Sequence, residues 1–393
     1  MKKSNFLLVI CVFLNVYFYI YAYQFLSIEN DIFKYGQLIQ PFSIHSLDRF
    51  MDYYNVNYHA LSKEFYSGDF KSVYSEIFRF ISKLLTPSQC LNSVSSLELK
   101  KCSTYDFYIF YLLTIFINLY LIYKNMGNHK DKLLWTLLFG FSFPMFYCLE
   151  RGNYIILTMI IINIMSLTKN NSIFEFGLLV IPFTKIYLIT LYLLIFIKDI
   201  NKFLLFLLLF FLINSFLFWL YDDSLAFLLL NLVNFNNDEH IYEILDATSF
   251  LPILSSYKLV YFKFLWLAVV FFLIIRMYIY INLFIACGSR NYCDILFLIL
   301  LLLLIILPGV GFYSIILLYP LFCKYINSNF FSNRIKIFVA LLCLPYPLDL
   351  FQYKQMVAEN IMTYIQLHSL LIPLLLIFIF YEFTKKLRMH NDY

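Results

Sequence analysis

Long runs of hydrocarbon side chains, nearly free of charge, constrain this chain more than any other feature. "FLLVICVFLNVYFYIYAYQF" (6–25), "FLLFLLLFFLINSFLFWL" (203–220) and "LLIPLLLIFIFYEF" (370–383) are such runs. A helix of about 20 such residues crosses the hydrocarbon core of a bilayer. Inside that core every backbone N–H and C=O must find a partner within the protein. Of the 393 residues, 62% are hydrophobic, 21% are aromatic and 13% are charged. Soluble domains carry about 25% charged residues. These observations exclude a soluble globular fold and predict an all-α polytopic membrane protein. The first run starts directly after Met-Lys-Lys and no small-residue cleavage site follows it. It reads as a retained first span rather than a signal peptide.

About twelve hydrophobic segments are expected, roughly 6–25, 107–123, 133–149, 153–168, 172–184, 186–197, 202–220, 259–283, 294–308, 310–323, 335–349 and 361–381. They are read as one integral membrane domain spanning 1–393. A cytoplasmic N-terminus puts Lys2, Lys3, Lys124, Lys130, Lys132, Lys169, Lys198 and Lys202 on the inner side, with Arg290, Lys324, Arg334 and Lys385 from the second half. Short inner loops rich in Lys and Arg are what the positive-inside rule asks. The C-terminus then also lies in the cytoplasm. Two larger regions, 26–105 and 221–258, become exported loops.

The first exported loop has its own pattern. Phe50, Tyr53, Tyr54 and Asn57 recur at helical spacing, as do Val73, Ile77, Phe80, Ile81 and Leu84, with a break at Gly68-Asp69. Two short amphipathic helices rich in Tyr and Phe suit a membrane interface; a plain packing domain is the alternative. Most of the eight cysteines lie in or beside apolar segments and read as fillers. Cys90 and Cys102 lie in a polar stretch, and if exported they either pair or stay as two thiols. No CxxC or Cys/His cluster suggests a metal site, and no cofactor is expected.

Segments 172–184 and 186–197 hold only about 12–13 residues each. Helices that short rise roughly 18–20 Å, well under a core of about 30 Å. Irregular backbone at membrane depth is tolerated where it lines a water-filled cavity, so Lys185, between them, is expected at the floor of a vestibule. The turn "ERGN", between 133–149 and 153–168, opens to the same side and brings Glu150, Arg151 and Asn153. Asp48 and Asp52 arrive from the first loop, and Tyr187 sits beside Lys185. Intramembrane ionisable groups are costly and usually functional. Arg and Lys suit phosphate oxygens, and a carboxylate suits a general base. Plainer readings stand beside this. Glu150 and Arg151 would form an interfacial pair, Gly152 would end one helix and Asn153 would cap the next. Lys185 would snorkel, and Asp48 and Asp52 would be solvated.

"ERGNYIILTMIIINI" (150–164), followed by "IPFTKIYLITLYLLIF" (181–196), resembles the multi-spanning glycosyltransferases of the GT-C superfamily, in particular the family 87 type of bacterial polyprenyl-phosphate-dependent enzymes. The first loop supplies "MDYYNVNYHAL" and "SVYSEIFRFI" to that pattern. The likeness covers roughly 45–200. Leu188 stands where the family often has Pro, and "SVYSEIF" lacks the family's prolines. The resemblance implies a multi-pass protein of the bacterial plasma membrane. It implies a polyprenyl-phosphate sugar donor, a glycan or glycolipid acceptor at the outer face, and no nucleic-acid partner. Asp52 would act as base, with Asp48 as second choice. Arg151 and Lys185 would hold the departing phosphate, Asn153 and Tyr187 would orient sugar or phosphate, and Glu150 would orient Arg151. Asp52, Arg151 and Lys185 should then converge within about 10–12 Å around one cavity. An O-antigen polymerase is the main rival, but such proteins place arginine-rich loops late, and the late half here offers only Lys258, Lys263 and Lys354 outside. A flippase or transporter predicts ionisable groups at the midplane of both halves, which the second half lacks.

Overall fold

The computed structural model describes residues 3–28, 50–62, 65, 74–220, 228, 231, 260–286, 292–307, 311–346, 349–354 and 362–391. Asp48, the break at Gly68-Asp69, Val73, Arg290 and, apart from Leu228 and Asn231, the loop 221–258 lie outside them. In chain order the helices are α1 (Lys3–Ile28), α2 (Met51–Leu61), α3 (Glu76–Leu85), α4 (Ser96–Cys102), α5 (Thr104–Asn125), α6 (Lys132–Gly140), α7 (Phe143–Arg151), α8 (Ile155–Leu167), α9 (Asn171–Thr184), α10 (Leu193–Lys198), α11 (Ile200–Leu220), α12 (Val260–Ala286), α13 (Tyr292–Ile306), α14 (Tyr319–Asn327), α15 (Asn333–Leu342) and α16 (Leu367–Asn391). Tight 3-10 turns cover Ser88–Cys90, Ile186–Tyr192 and Phe312–Leu318.

Among the described residues, three helical stretches are long and apolar enough to cross a bilayer: Thr104–Asn125, Ile200–Leu220 and Phe262–Asn282. A fourth results if α6 and α7, which meet at a 40° bend, are one span. The molecule is thus a helical membrane protein. Several of the other hydrophobic segments carry helices of 10–17 residues, among them Ile155–Leu167, Asn171–Thr184 and Tyr292–Ile306.

The structure departs from the sequence expectation in three places. The segment 133–149 is not one helix but breaks at Phe141-Ser142. Pro144 has no N–H to bond the Gly140 carbonyl, so the helical ladder cannot run through it, and the Ser142 hydroxyl takes the Met145 N–H at 3.3 Å, starting a new helix. The segment 186–197 begins as a 3-10 turn and becomes α-helical only from Leu193. The architecture is helical as expected, but Asp349–Lys354 (β1) and Met362–Gln366 (β2) form a small antiparallel hairpin, β1 in the connection between the expected segments 335–349 and 361–381 and β2 at the start of the second. "DLFQYK" and "MTYIQ" mix aromatic and aliphatic with polar residues over short runs, a strand-like composition.

The chain divides into two compact units, one of Met1–Ile44, Asn125–Tyr147 and His240–Tyr393, the other of His45–Lys124 and Cys148–Glu239. In the first, α13 is buried along nearly its whole length. Phe297 packs against Phe322, Tyr325, Phe331 and Phe383 with ring centroids 4.6–6.0 Å apart. Asp294, at the start of α13, takes hydroxyl protons from Tyr325 at 2.6 Å and Tyr280 at 3.3 Å. Those two bonds meet the cost of burying a carboxylate.

In the second unit, α5 and α8 are joined by amides. Asn118 donates to the Ile156 carbonyl at 3.1 Å and accepts from Asn163 at 3.2 Å. Such inter-helical bonds fix register where apolar packing alone does not. Helices α2 and α3 pack against one another, and α2 also packs on α4. Along α2 the buried face is Tyr53, Tyr54 and Asn57, as the periodicity predicts. Along α3 the sides are exchanged. Glu76, Phe78, Arg79 and Ser82 are buried, whereas Phe80 and Leu84 are 43% and 69% exposed. The buried side holds because Arg79 is fully engaged. It pairs with Glu76 at 3.0 Å, donates to the Ala60 and Ser62 carbonyls, and lies 5.3 Å over the Phe65 ring. Those carbonyls belong to the C-terminal end of α2, where a cation is favoured by the helix dipole.

Candidate functional site

The turn after α7 is built by its glycine. Gly152 has φ +68, and its N–H reaches the Leu149 carbonyl at 3.1 Å while the Asn153 N–H reaches the Cys148 carbonyl at 3.1 Å. That pair of bonds is the Schellman arrangement, which requires a left-handed residue just past the helix end. A Cβ at Gly152 would also lie 3.1 Å from the backbone of Phe50 and from the Tyr53 side chain. Only glycine satisfies both conditions. Asn153 then opens α8, its Oδ1 taking the Ile155 N–H at 3.1 Å. Tyr111 of α5 braces the turn, its hydroxyl lying 2.9 Å from the Cys148 carbonyl and 3.0 Å from that of Asn153. The plainer reading of this turn, one helix ended and the next capped, is therefore correct as far as it goes.

The same turn also grips the first loop. The Phe50 N–H donates to the Glu150 carbonyl at 2.7 Å, which starts α2 against the turn. Phe50 has φ 64, a strained setting for a residue with a side chain, held by this bond and by ring contacts with Phe107 and Tyr108 at 4.7 and 5.8 Å. Two residues on, Asp52 is clasped from both sides. Arg151 Nη2 lies 2.7 Å from Asp52 Oδ1, and Asn153 Nδ2 lies 2.9 Å from Asp52 Oδ2. Arg151 and Asp52 are 33% and 18% exposed, so the pair is reachable. Next to Asn153, Tyr154 donates to Asn57 at 2.7 Å and stacks on Tyr53 at 5.2 Å.

Lys185 follows the last residue of α9 in an extended conformation. It is 8% exposed, so it does not snorkel. Its ammonium donates to the Tyr74 hydroxyl at 2.7 Å and lies 4.1 Å above the Tyr74 ring. Burial pushes the Tyr74 phenol above its ordinary pKa, the nearby Asp52 charge pushes it the same way, and Arg151 opposes them. Tyr74 therefore stands within electrostatic reach of the Asp52–Arg151 pair while bonded to Lys185.

Of the residues singled out from the sequence, Asp52, Arg151 and Asn153 are in direct contact, whereas Lys185 bonds Tyr74. Glu150 is buried and contributes its backbone carbonyl to Phe50. Tyr187 is half-buried at the start of the 3-10 turn, its carbonyl taking the Thr190 hydroxyl at 2.9 Å. Asp48 lies outside the described residues. Sequence reasoning missed Tyr74, Tyr111 and Tyr154 as parts of the site. For Tyr74 a signal existed: it immediately precedes Ser75, whose hydroxyl takes the Phe78 N–H and starts α3.

Two further features lie in the same unit. Ile77, Phe80 and Ile81 of α3 face Leu212, Ile213, Phe216 and Leu217 of α11 across an open, wholly apolar groove of about 600 Å³. Cys90 and Cys102 are joined by a disulfide with Cα atoms 5.8 Å apart, which decides the alternative left open by the sequence. Among the described residues no group of three His, Cys, Asp or Glu is placed to hold a metal ion. In comparisons with known proteins, no family model, no curated protein and no solved structure matches this chain.

Proposed function

We propose that this protein is a membrane glycosyltransferase. It moves a sugar from a polyprenyl-phosphate donor to a lipid-linked or cell-envelope glycan acceptor at the outer face of the bacterial plasma membrane. The observation that carries the reading is Asp52 held at 2.7 Å by Arg151 and at 2.9 Å by Asn153. An acid, a phosphate-binding cation and an amide come together from segments about a hundred residues apart, at a place reachable by a ligand. In the reaction the acceptor hydroxyl attacks the anomeric carbon and the bond from that carbon to the phosphate oxygen breaks. The electron pair leaves with the lipid phosphate, and Asp52 takes the hydroxyl proton. Arg151 and Lys185 stabilise the charge that grows on the phosphate. The donor phosphate draws Arg151 from Asp52, so binding frees the carboxylate to act as base.

Two further features support the reading. The apolar groove beside α3 suits an isoprenoid chain. The Cys90–Cys102 disulfide suits a loop on the oxidising side of the membrane. Asp52→Asn should lower glycan transfer in membranes by about 10²–10⁴-fold, with protein level and melting nearly unchanged. Full transfer by that variant would sink the assignment of the base.

A further inference from the structure

The segment closed by the Cys90–Cys102 disulfide stands at the end of a span. Ser103 joins α4 to α5: its N–H reaches the Leu99 carbonyl at 2.9 Å, and its carbonyl takes the Phe107 N–H at 3.0 Å. The 22 residues of α5 rise about 33 Å, enough to fill a hydrocarbon core of about 30 Å. That brings α4 and the turn before it to the headgroup layer, roughly 5–8 Å thick on each side.

At that level three aliphatic side chains point away from the protein. Val94 is 80% exposed, and Leu91 and Leu97, three residues to either side, are exposed as well. The exposed apolar surface continues onto the start of α5 through Tyr105, Tyr108 and Ile109. Single exposed apolar residues are ordinary, but a cluster continuous with the lipid-facing side of a span marks an interaction surface.

The backbone here is satisfied from within. The Val94 N–H donates to Glu98 Oε2 at 2.7 Å, and the Val94 carbonyl accepts the Tyr58 hydroxyl at 2.9 Å. The Cys90 carbonyl takes the Ser93 N–H at 3.2 Å and the Ser93 hydroxyl at 2.8 Å, and Ser95 Oγ takes the Glu98 N–H at 3.2 Å. A loop in water can leave such groups to the solvent, whereas one entering a medium poor in water must pair them itself. The disulfide has already removed freedom that ordering at a surface would otherwise cost.

We propose that Leu91, Val94 and Leu97 form an interfacial anchor that enters the bilayer surface at the N-terminal end of α5, with lipid as its partner. The inference requires only that α5 crosses the membrane, and it is independent of sugar transfer. Because Tyr58 belongs to α2, the anchor also sets the depth of the helix that carries Asp52. The test places a reporter at the tip. The full chain is reconstituted as single copies in nanodiscs, as Val94→Trp and, separately, as Leu97→Trp, and the emission of the three native tryptophans is subtracted using wild type. Phospholipids brominated high on their acyl chains should quench the added emission roughly twofold, and aqueous iodide should quench it several-fold less than free tryptophan. In Val94→Trp protein that also carries Leu91→Asp and Leu97→Asp, quenching by the brominated lipid should be largely lost. Full quenching by iodide with no effect of the brominated lipid would put the segment in water and overturn the anchor. Protection from both quenchers would mean that protein covers the patch, which overturns it equally. Lipid quenching that survives the two aspartates would show that these side chains do not hold the segment in the bilayer.

Discussion

Two ion pairs in the same unit show how differently buried charge can be used. Arg79 and Glu76 are 1% and 0% exposed, and the arginine is spent on one carboxylate, two helix-end carbonyls and an aromatic face. Arg151 and Asp52 are 33% and 18% exposed, and an amide shares the carboxylate. The first pair leaves no room for a ligand and fixes where α2 ends and α3 begins. The second is partly open to solvent. The proposed function asks for an arginine that a ligand can reach, which is the second of the two.

The contrast can be broken by substitution. Arg79→Ala strands Glu76 and should destabilise the protein by about 3–5 kcal/mol, seen as a large fall in melting midpoint. Replacing Arg79 and Glu76 together by Leu should recover much of that loss; an Arg79→Ala protein that melts like wild type would remove the structural role assigned to this pair. Gly152→Ala should cost roughly 2 kcal/mol, because a left-handed residue with a Cβ is strained and that Cβ meets Phe50. Transfer should fall with it, since the turn sets Arg151 and Asn153. The smallest stability effect is expected for Arg151→Ala, within about 1 kcal/mol as for other accessible pairs. Its donor binding should nonetheless fail. Retained binding there, or a drop in melting as large as that of Arg79→Ala, would erase the distinction between the pairs.

Much of the second unit was legible because its signals are local. Periodicity placed Tyr53, Tyr54 and Asn57 on the inner face of α2, and the short length of 172–184 marked Lys185 as unusual. The turn around Gly152 was readable as a cap because glycine and asparagine have fixed uses at helix ends. What could not be read is which way a face points. The pattern of Ile77, Phe80, Ile81 and Leu84 is plain, yet only the partners of Arg79 decide that the opposite side packs inward. The Tyr74–Lys185 bond joins residues 111 apart and leaves no periodic trace. The hairpin of β1 and β2 leaves little trace in the sequence: β1 falls between two apolar segments, and β2 merges with the apolar run that follows it.

The reversed sides of α3 also change what this helix tolerates. On most surface helices a charge is harmless outside and ruinous inside. Along α3 the order is inverted: its inward arginine is the residue that cannot be made greasy by itself, and its outward Phe80 lines the apolar groove, where a lysine would meet only hydrocarbon. A tolerance map of this helix, read blind, would mistake its outside for a core.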